Sequence, residues 1–489
     1  MAEVVIIVDP VSTGGCVAAE AKNRGYEVIA LWCDEITDTM RSHVPEVAKS
    51  LKYLANVEER ATIKQTAAAV KAAAGGRNIA ACIVGAETGV TLADKLSLEL
   101  GVLSNGIFPG GDRRNKSVQQ KAVKAAGLRA VREALGTKWS DVEAFVATEQ
   151  LPIVVKPVES CGSDGVKLCK SREEVKEHFQ RLMEGQRAAG AQGAAVLCQE
   201  FLKGKEYVVD HVSRKGVHKC LMVWVYDKRP TNGAAFVYYG MVPVDKNSKE
   251  AKVLIEYTEG VLNALKLDNG PTHGEVMMTA DGPCMVEMNC RSHGWDGAWV
   301  PLAKMLTGGY AQPGAALDSH VDPAAFDKIP MCYPSPFKAA GQSAMLVSFF
   351  SGTVRATPGY DKIKKMSSFV ALNTSITVGS RVELTVDLFT AAGVLILANS
   401  DPAKMEADLN AIRKMEKEGL FEFDEEVDPA QYDEPDTVEQ IGRRRASTLD
   451  SVASMPMRPA SKSSPMPMAV IALAAGLLIG FLAGKKVGK

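Results

Sequence analysis

The sequence predicts a mixed fold, an α/β unit followed by α+β blocks. Short apolar runs alternate with helical periodicity up to about residue 105, the pattern of parallel βαβ units. From about 115, apolar strands with turn signals and occasional helices take over. The 489 residues, 46% apolar and 24% charged, suffice for roughly two to four domains with sizeable cores. The apolar fraction is too high for a disordered chain, and 42 Gly with 23 Pro are too few for a fibrous one. Lys plus Arg number 57 against 58 Asp plus Glu, so a net charge of -1 provides no field for a polyanion, and no nucleic-acid partner is expected. Ten Cys, none in a CxxC, and no N-terminal signal peptide read as reduced thiols in a cytosol-facing protein.

The first strand is Val4–Val8, followed by the small-residue turn Ser12-Thr13-Gly14-Gly15 and a helix reaching Gly25. Strands at Val28–Leu31 and Ala80–Val84 and a helix carrying Leu92, Ala93, Leu96 and Leu98 complete this unit. The glycine turn lacks GxGxxG spacing and reads as a plain tight turn. A helix at Lys116–Ala126 opens the next block, with strands at Ile153–Lys156, Val166–Cys169, Val196–Glu200, Tyr207–Val212 and Cys220–Tyr226. A third block carries strands at Ala344–Phe350 and Arg381–Leu388 and a charged helix at Pro402–Gly419. The expected divisions are 1–110, 111–325 and 326–425, then a linker over 426–467. Within the linker, Arg443-Arg444-Arg445-Ala446-Ser447 reads as a solvated charge run or as a basophilic kinase site at Ser447.

The run Met468–Gly484 has no hydrophilic residue and is followed by Lys485 and Lys486. That length lies at the short end of a bilayer-spanning helix, so a C-terminal tail anchor is expected, with the preceding domains facing the cytosol. Gly476, Gly480 and Gly484 fall four apart, a spacing that permits close helix approach and a homodimer.

Four segments carry chemistry. Lys156 ends an apolar strand, where an unpaired charge is costly, so an anionic partner is expected. The following Ser160-Cys161-Gly162-Ser163-Asp164-Gly165 is a phosphate-covering loop or an ordinary glycine hairpin. Glu200 and Glu206 flank the turn Phe201-Leu202-Lys203-Gly204-Lys205, whose backbone can face an adenine edge. Glu275 lies on one strand; Glu287 and Asn289, two apart, project from one face of the strand returning after Asp281-Gly282. Two carboxylates and an amide oxygen form a hard-oxygen set suited to Mg²⁺ with nucleotide phosphates, and Arg291 continues the alternation. The fourth segment, Arg113-Arg114-Asn115-Lys116, offers cations at a helix start.

These segments, in this order, resemble the ATP-grasp superfamily, in particular its carboxylate–amine ligases of the L-amino acid and dipeptide type. The resemblance covers about residues 1–425 and implies a Rossmann-like pre-ATP-grasp domain, a central grasp and a C-terminal subdomain. By match, it makes Lys116 and Lys156 the nucleotide lysines and places Ser160, Gly162, Ser163 and Gly165 over the phosphates. Glu200, Phe201 and Leu202 become the adenine hinge and Glu206 the ribose acceptor. Glu275, Glu287 and Asn289 become ligands of Mg²⁺, with Mn²⁺ as a substitute. Arg291 becomes the cation for the acyl phosphate and the oxyanion, and His273 a pocket or a structural histidine. The implied reaction is ATP-dependent joining of a small carboxylate to an amine, with release of ADP and phosphate. Another acceptor for the same acyl phosphate, or a non-catalytic nucleotide-binding module, is the alternative. Ser292-His293-Gly294-Trp295-Asp296 departs from the Gly-rich turn that many relatives carry after this arginine.

Overall fold

The computed structural model describes residues 2–157, 166–184, 195–387 and 390–424. The expectations for Ser160, Gly162, Ser163 and Gly165, for Ser447, and for the linker and apolar tail lie outside the described residues. Among those described, no helix is long and apolar enough to cross a membrane.

Strands β1 (Val4–Val8), β2 (Glu27–Trp32), β3 (Ala55–Glu58) and β4 (Ile79–Val84) form a parallel sheet in the order β3-β2-β1-β4. β1 is buried along its whole length, which is why it reads as an unbroken apolar run. β3 escaped the sequence reading because, as an edge strand of sequence Ala-Asn-Val-Glu, it lacks such a run. The expected tight turn at Ser12–Gly15 is instead the helix start: Ser12 is the N-cap, and Thr13, Gly14 and Gly15 form the first turn of the helix Thr13–Asn23. A Cβ on Gly14 would lie 2.5 Å from the Gly85 Cα, so close backbone approach requires the glycine here.

Strands β5 (Glu133–Gly136), β6 (Ile153–Pro157), β7 (Lys167–Cys169) and β8 (Val196–Glu200) form an antiparallel sheet in the order β5-β8-β6-β7. The helices Trp139–Thr148 and Arg172–Met183 close its core through Val142, Val146, Val175 and Phe179.

The largest sheet runs through β9 (Gly204–Arg214), β10 (Val217–Thr231), β11 (Ala234–Pro243), β12 (Gly270–Thr279) and β13 (Gly282–Asn289). Beyond residue 325 come β14 (Ala340–Met345), β15 (Gly352–Ala356), β16 (Phe369–Asn373), β17 (Arg381–Val382), β18 (Val394–Asn399) and β19 (Glu422–Phe423). The order β13-β12-β9-β10-β11-β14-β18-β16 joins strands from both sides of residue 325 in one sheet, and β17-β15-β19 forms a small separate one.

Two expected strands are shorter than their apolar runs. The Ala344–Phe350 run leaves the sheet after Met345, because side chains take its backbone donors: Val347 N donates to Glu416 Oε1 and Ser348 N to Thr385 Oγ1. Among the described residues of the Arg381–Leu388 run, only Arg381–Val382 pair in a sheet, and the Asp387 carboxylate accepts from Thr390 N.

Buried glutamines fix the helix Lys116–Ala125 against β13. Gln119 donates to the Met288 carbonyl and accepts from the Met288 amide, and Gln120 donates to the Met285 carbonyl. Asn115 caps this helix by accepting from Val118 N, which sets Lys116 in its first turn beside the strand carrying Glu287. Arg113 is not a phosphate cation: buried, it reaches Asp94 and the carbonyls of Asn105, Gly106, Leu265 and Lys266.

Candidate active site

The site grows from the register of three adjacent strands. Glu275 on β12 lies opposite Glu287 on β13, and His273 opposite Asn289. On the other side of β12, His273 lies opposite Asp210 on β9. The two-residue period puts Glu206 and Asp210 of β9, His273 and Glu275 of β12, and Glu287 and Asn289 of β13 on one face.

Cations surround these oxygens. Lys116 Nζ lies 2.8 Å from Glu287 Oε1. Burial, and then the charge of Lys116, push the Lys156 ammonium down to about 8, while Glu287, Glu133 and Glu275 pull it back. Two lysines close enough to oppose each other's charge, one on β6 and one on the helix packed against β13, form a seat for a polyanion. Glu206 is held by Lys228 at 2.5 Å, and burial raises its carboxyl despite that partner.

Arg291 donates from Nη2 to Asn289 Oδ1 at 2.9 Å and from Nη1 to the Ser292 carbonyl at 3.0 Å. Its Nε lies 2.9 Å from Oε2 of Glu87, a residue of the parallel-sheet unit. An amide oxygen has two lone pairs, so Asn289 can serve Arg291 and a cation together.

His273 is buried between two carboxylates, with Nδ1 3.0 Å from Asp210 Oδ1 and Nε2 3.3 Å from Glu275 Oε1. Burial opposes its charge, yet the hydrogen bonds to Asp210 and Glu275 outweigh it and lift the imidazole to about 9. Burial likewise works against ionised Glu275, but the His273 hydrogen bond and charge hold its carboxyl at about 2. Asp210 also accepts from Trp224 Nε1 at 2.9 Å and lies 3.0 Å from His293 Nδ1. The ligand atoms of Asp210, His273 and His293 are near enough to hold a metal ion. However, each carboxylate oxygen meets one ring nitrogen at hydrogen-bond length and an indole N–H donates as well, the geometry of a proton-linked triad.

The hinge residues separate by role. Glu200 accepts from Arg129 at 2.7 and 2.9 Å and from the Arg132 amide at 2.8 Å, so its side chain fixes the turn. Its own N–H pairs with the Arg132 carbonyl. Phe201 and Leu202, half-buried, span the gap between β8 and β9. The structure thus gathers Lys116, Lys156, Glu206, His273, Glu275, Glu287, Asn289 and Arg291 into one electrostatic cluster, while the Glu200 side chain is taken up by Arg129 and Arg132.

The sequence reading missed Asp210, His293 and Glu87. Asp210 carried a usable signal, a charge inside the apolar run Val208-Val209-Asp210-His211-Val212. Glu87 carried none, because its partner is 204 residues away in the chain, at Arg291.

The residues fit Mg²⁺. Two carboxylates facing across a strand pair, one of them held ionised by its histidine, and an amide oxygen beside them are the hard donors that ion prefers.

Residues 149–298 match the ATP-grasp domain model, and the chain carries that domain. The chain is 29% identical over 344 residues to dapdiamide A synthase of Enterobacter agglomerans, a match covering 69% of this chain and 79% of that protein. Alanine–anticapsin ligase of Bacillus subtilis is 23% identical over 225 residues, covering 43% of this chain and 47% of the relative. The crystal structure of an L-amino acid ligase from Bacillus licheniformis superposes with a TM-score of 0.64 at 15% identity, over 84% of this chain and 97% of that one.

Proposed function

We propose that this chain, an ATP-grasp protein of the carboxylate–amine ligase branch, joins a small carboxylate to an amine, an amino acid, at the expense of ATP. The observation that carries the reading is the register pair Glu275–Glu287, with Lys116 on Glu287 and Arg291 two residues beyond Asn289.

Lys116 and Lys156 bind the triphosphate and offset its charge, and the backbone of Phe201 and Leu202 faces the base. Glu206 accepts from the ribose hydroxyls. Glu275, Glu287 and Asn289 would hold Mg²⁺, which supplies neutralisation of charge on the phosphates when bound. The substrate carboxylate oxygen attacks the γ-phosphorus; the bond to the β-phosphate oxygen breaks, leaving acyl phosphate and ADP. The amine nitrogen then attacks the acyl carbon and loses a proton, and inorganic phosphate departs. Arg291, oriented by Glu87 and Asn289, stabilises the tetrahedral oxyanion. His273 keeps Glu275 ionised and oriented.

The test is ADP and phosphate release across a panel of amino acids, with mass analysis of the product. Release that depends on two substrates and yields their amide supports the ligase. Release with one carboxylate and a non-amine acceptor supports the alternative acceptor, and nucleotide binding without turnover the non-catalytic module.

The run Met468–Gly484 is proposed as a membrane tether, on its sequence alone. Deleting residues 468–489 should release the protein from the membrane fraction; unchanged association rejects the tether.

A further inference from the structure

On β10, beside the strand carrying Asp210, Cys220 faces Cys332. Cys220 is fully buried on β10, and Cys332 is half-buried on the segment joining the helix Pro323–Lys328 to β14. They form a parallel β-bridge, in which Cys220 N donates to the Met331 carbonyl at 2.9 Å and Tyr333 N to the Cys220 carbonyl at 3.1 Å. Directly opposed residues of neighbouring strands sit about 4.8 Å apart and project to the same side. That separation lies inside the roughly 4.4–6.8 Å Cα range of disulfides. The two thiols perturb each other's ionisation, as side chains in contact do.

The pairing is held from outside as well. Lys219, next to Cys220, donates its ammonium to the carbonyls of Phe326, Asp327 and Ile329, anchoring the chain that leads into Cys332. The opposition of the two residues is therefore fixed by three backbone carbonyls and two ladder bonds.

We propose that Cys220 and Cys332 form a reversible intramolecular disulfide by exchange with a low-molecular-weight disulfide, locking the segment before β14 onto β10. The half-exposed Cys332 is the entry point. Its thiol is pulled below the ordinary range by the neighbouring Cys220 thiol, against the effect of burial and with help from Lys246. Its thiolate attacks one sulfur of the small disulfide, forming a mixed disulfide and expelling a small thiolate. The Cys220 sulfur, losing its proton, then attacks the Cys332 sulfur and expels the second small thiol. Two protein thiols and one small disulfide thus give one protein disulfide and two small thiols. The Cys220 thiol is raised well above its usual range by burial, so the second step is the slow one. The cross-link spans a long stretch of chain, from 220 to 332, so it restricts the unfolded state strongly.

The experiment incubates the full chain with oxidised glutathione, then counts thiols after denaturation and maps disulfide-linked peptides. The expected result is loss of two thiols, a linked pair of peptides carrying Cys220 and Cys332, and recovery with dithiothreitol. A rise in Tm of about 3–5 °C should accompany the bond. Cys332→Ser should abolish the linked peptides and the Tm rise; Cys220→Ala should stop at a glutathione adduct on Cys332. If Cys220→Ala does not fold, Cys332→Ser carries the comparison, since that position is half-exposed. Wild-type protein that keeps both thiols, or that halts at the Cys332 adduct, overturns the proposal. Both readouts are independent of ligase turnover.

Discussion

Asp210 and His293 lie side by side, carboxylate Oδ2 and ring Nδ1 3.0 Å apart, while the other carboxylate oxygen meets His273 at the same distance. Burial disfavours the Asp210 charge, but His293 and His273 hold it ionised and well below the usual carboxylate range. An ionised carboxylate only accepts, so both rings present Nδ1–H to it, and His273, with its second N–H on Glu275, is doubly protonated. Asp210 therefore orients Glu275, one of the carboxylates proposed to hold Mg²⁺, through one intermediate ring.

Asp210→Asn should weaken that orientation while keeping the volume. The apparent Mg²⁺ requirement for ADP release should rise about 10-fold or more, as for other residues that orient metal-binding groups from behind. A magnesium titration checks this, and an unchanged requirement would reject the relay. Asp210→Ala, which also strands two buried imidazoles, should cost about 3–5 kcal/mol in denaturant unfolding.

Glu287→Gln should abolish turnover and leave the fold intact. The substitution keeps the shape but removes the charge that faces Glu275 across the ladder and pairs with Lys116. Circular dichroism should match the wild type, and wild-type rates in this variant would refute the metal assignment.

Arg291→Lys should lower kcat by about 10²-fold or more, because one ammonium cannot span Glu87, Asn289 and the Ser292 carbonyl as the guanidinium does. Nucleotide binding, measured by calorimetry, should change little. A parallel loss of nucleotide affinity would place Arg291 in the binding step instead.

Lys156, proposed to bind the triphosphate, should confer a pH dependence on nucleotide capture. Burial and the Lys116 charge bring it to about 8, so the free enzyme loses this cation as pH rises through that value. kcat/KM for ATP should therefore fall above about pH 8, and Lys156→Arg should remove the inflection. The stability linkage runs the other way. Between about 8 and the ordinary lysine value, the unfolded chain binds a proton that the folded chain has lost, so the ligand-free fold gains stability with rising pH.

Gly14→Val should destabilise the parallel-sheet unit by about 1–3 kcal/mol, since its Cβ meets the Gly85 backbone at 2.5 Å. Differential scanning calorimetry reads the shift.

Much of the site was legible in the sequence because it rests on short-range periodicity. Glu287 and Asn289 share a face since they are two apart on one strand, and the Asp281-Gly282 turn brings Glu275 opposite them. Lys156 betrayed itself as a charge ending an apolar strand, and Asp210 would have yielded to the same test. The ends of β14 and β17 were misjudged because apolar composition does not reveal where Glu416 and Thr385 take over the backbone donors.

From the chain alone followed the alternation of strands and helices, the oxygen-donor set of β12 and β13, and the kind of chemistry proposed for those donors, because such patterns depend on residues a few positions apart. Folding in three dimensions decided which partner each group receives: Glu87 beside Arg291, Asp210 between two imidazoles, Cys332 against Cys220. Those contacts join residues distant in sequence, and electrostatics and hydrogen bonding act on distance in space rather than along the chain.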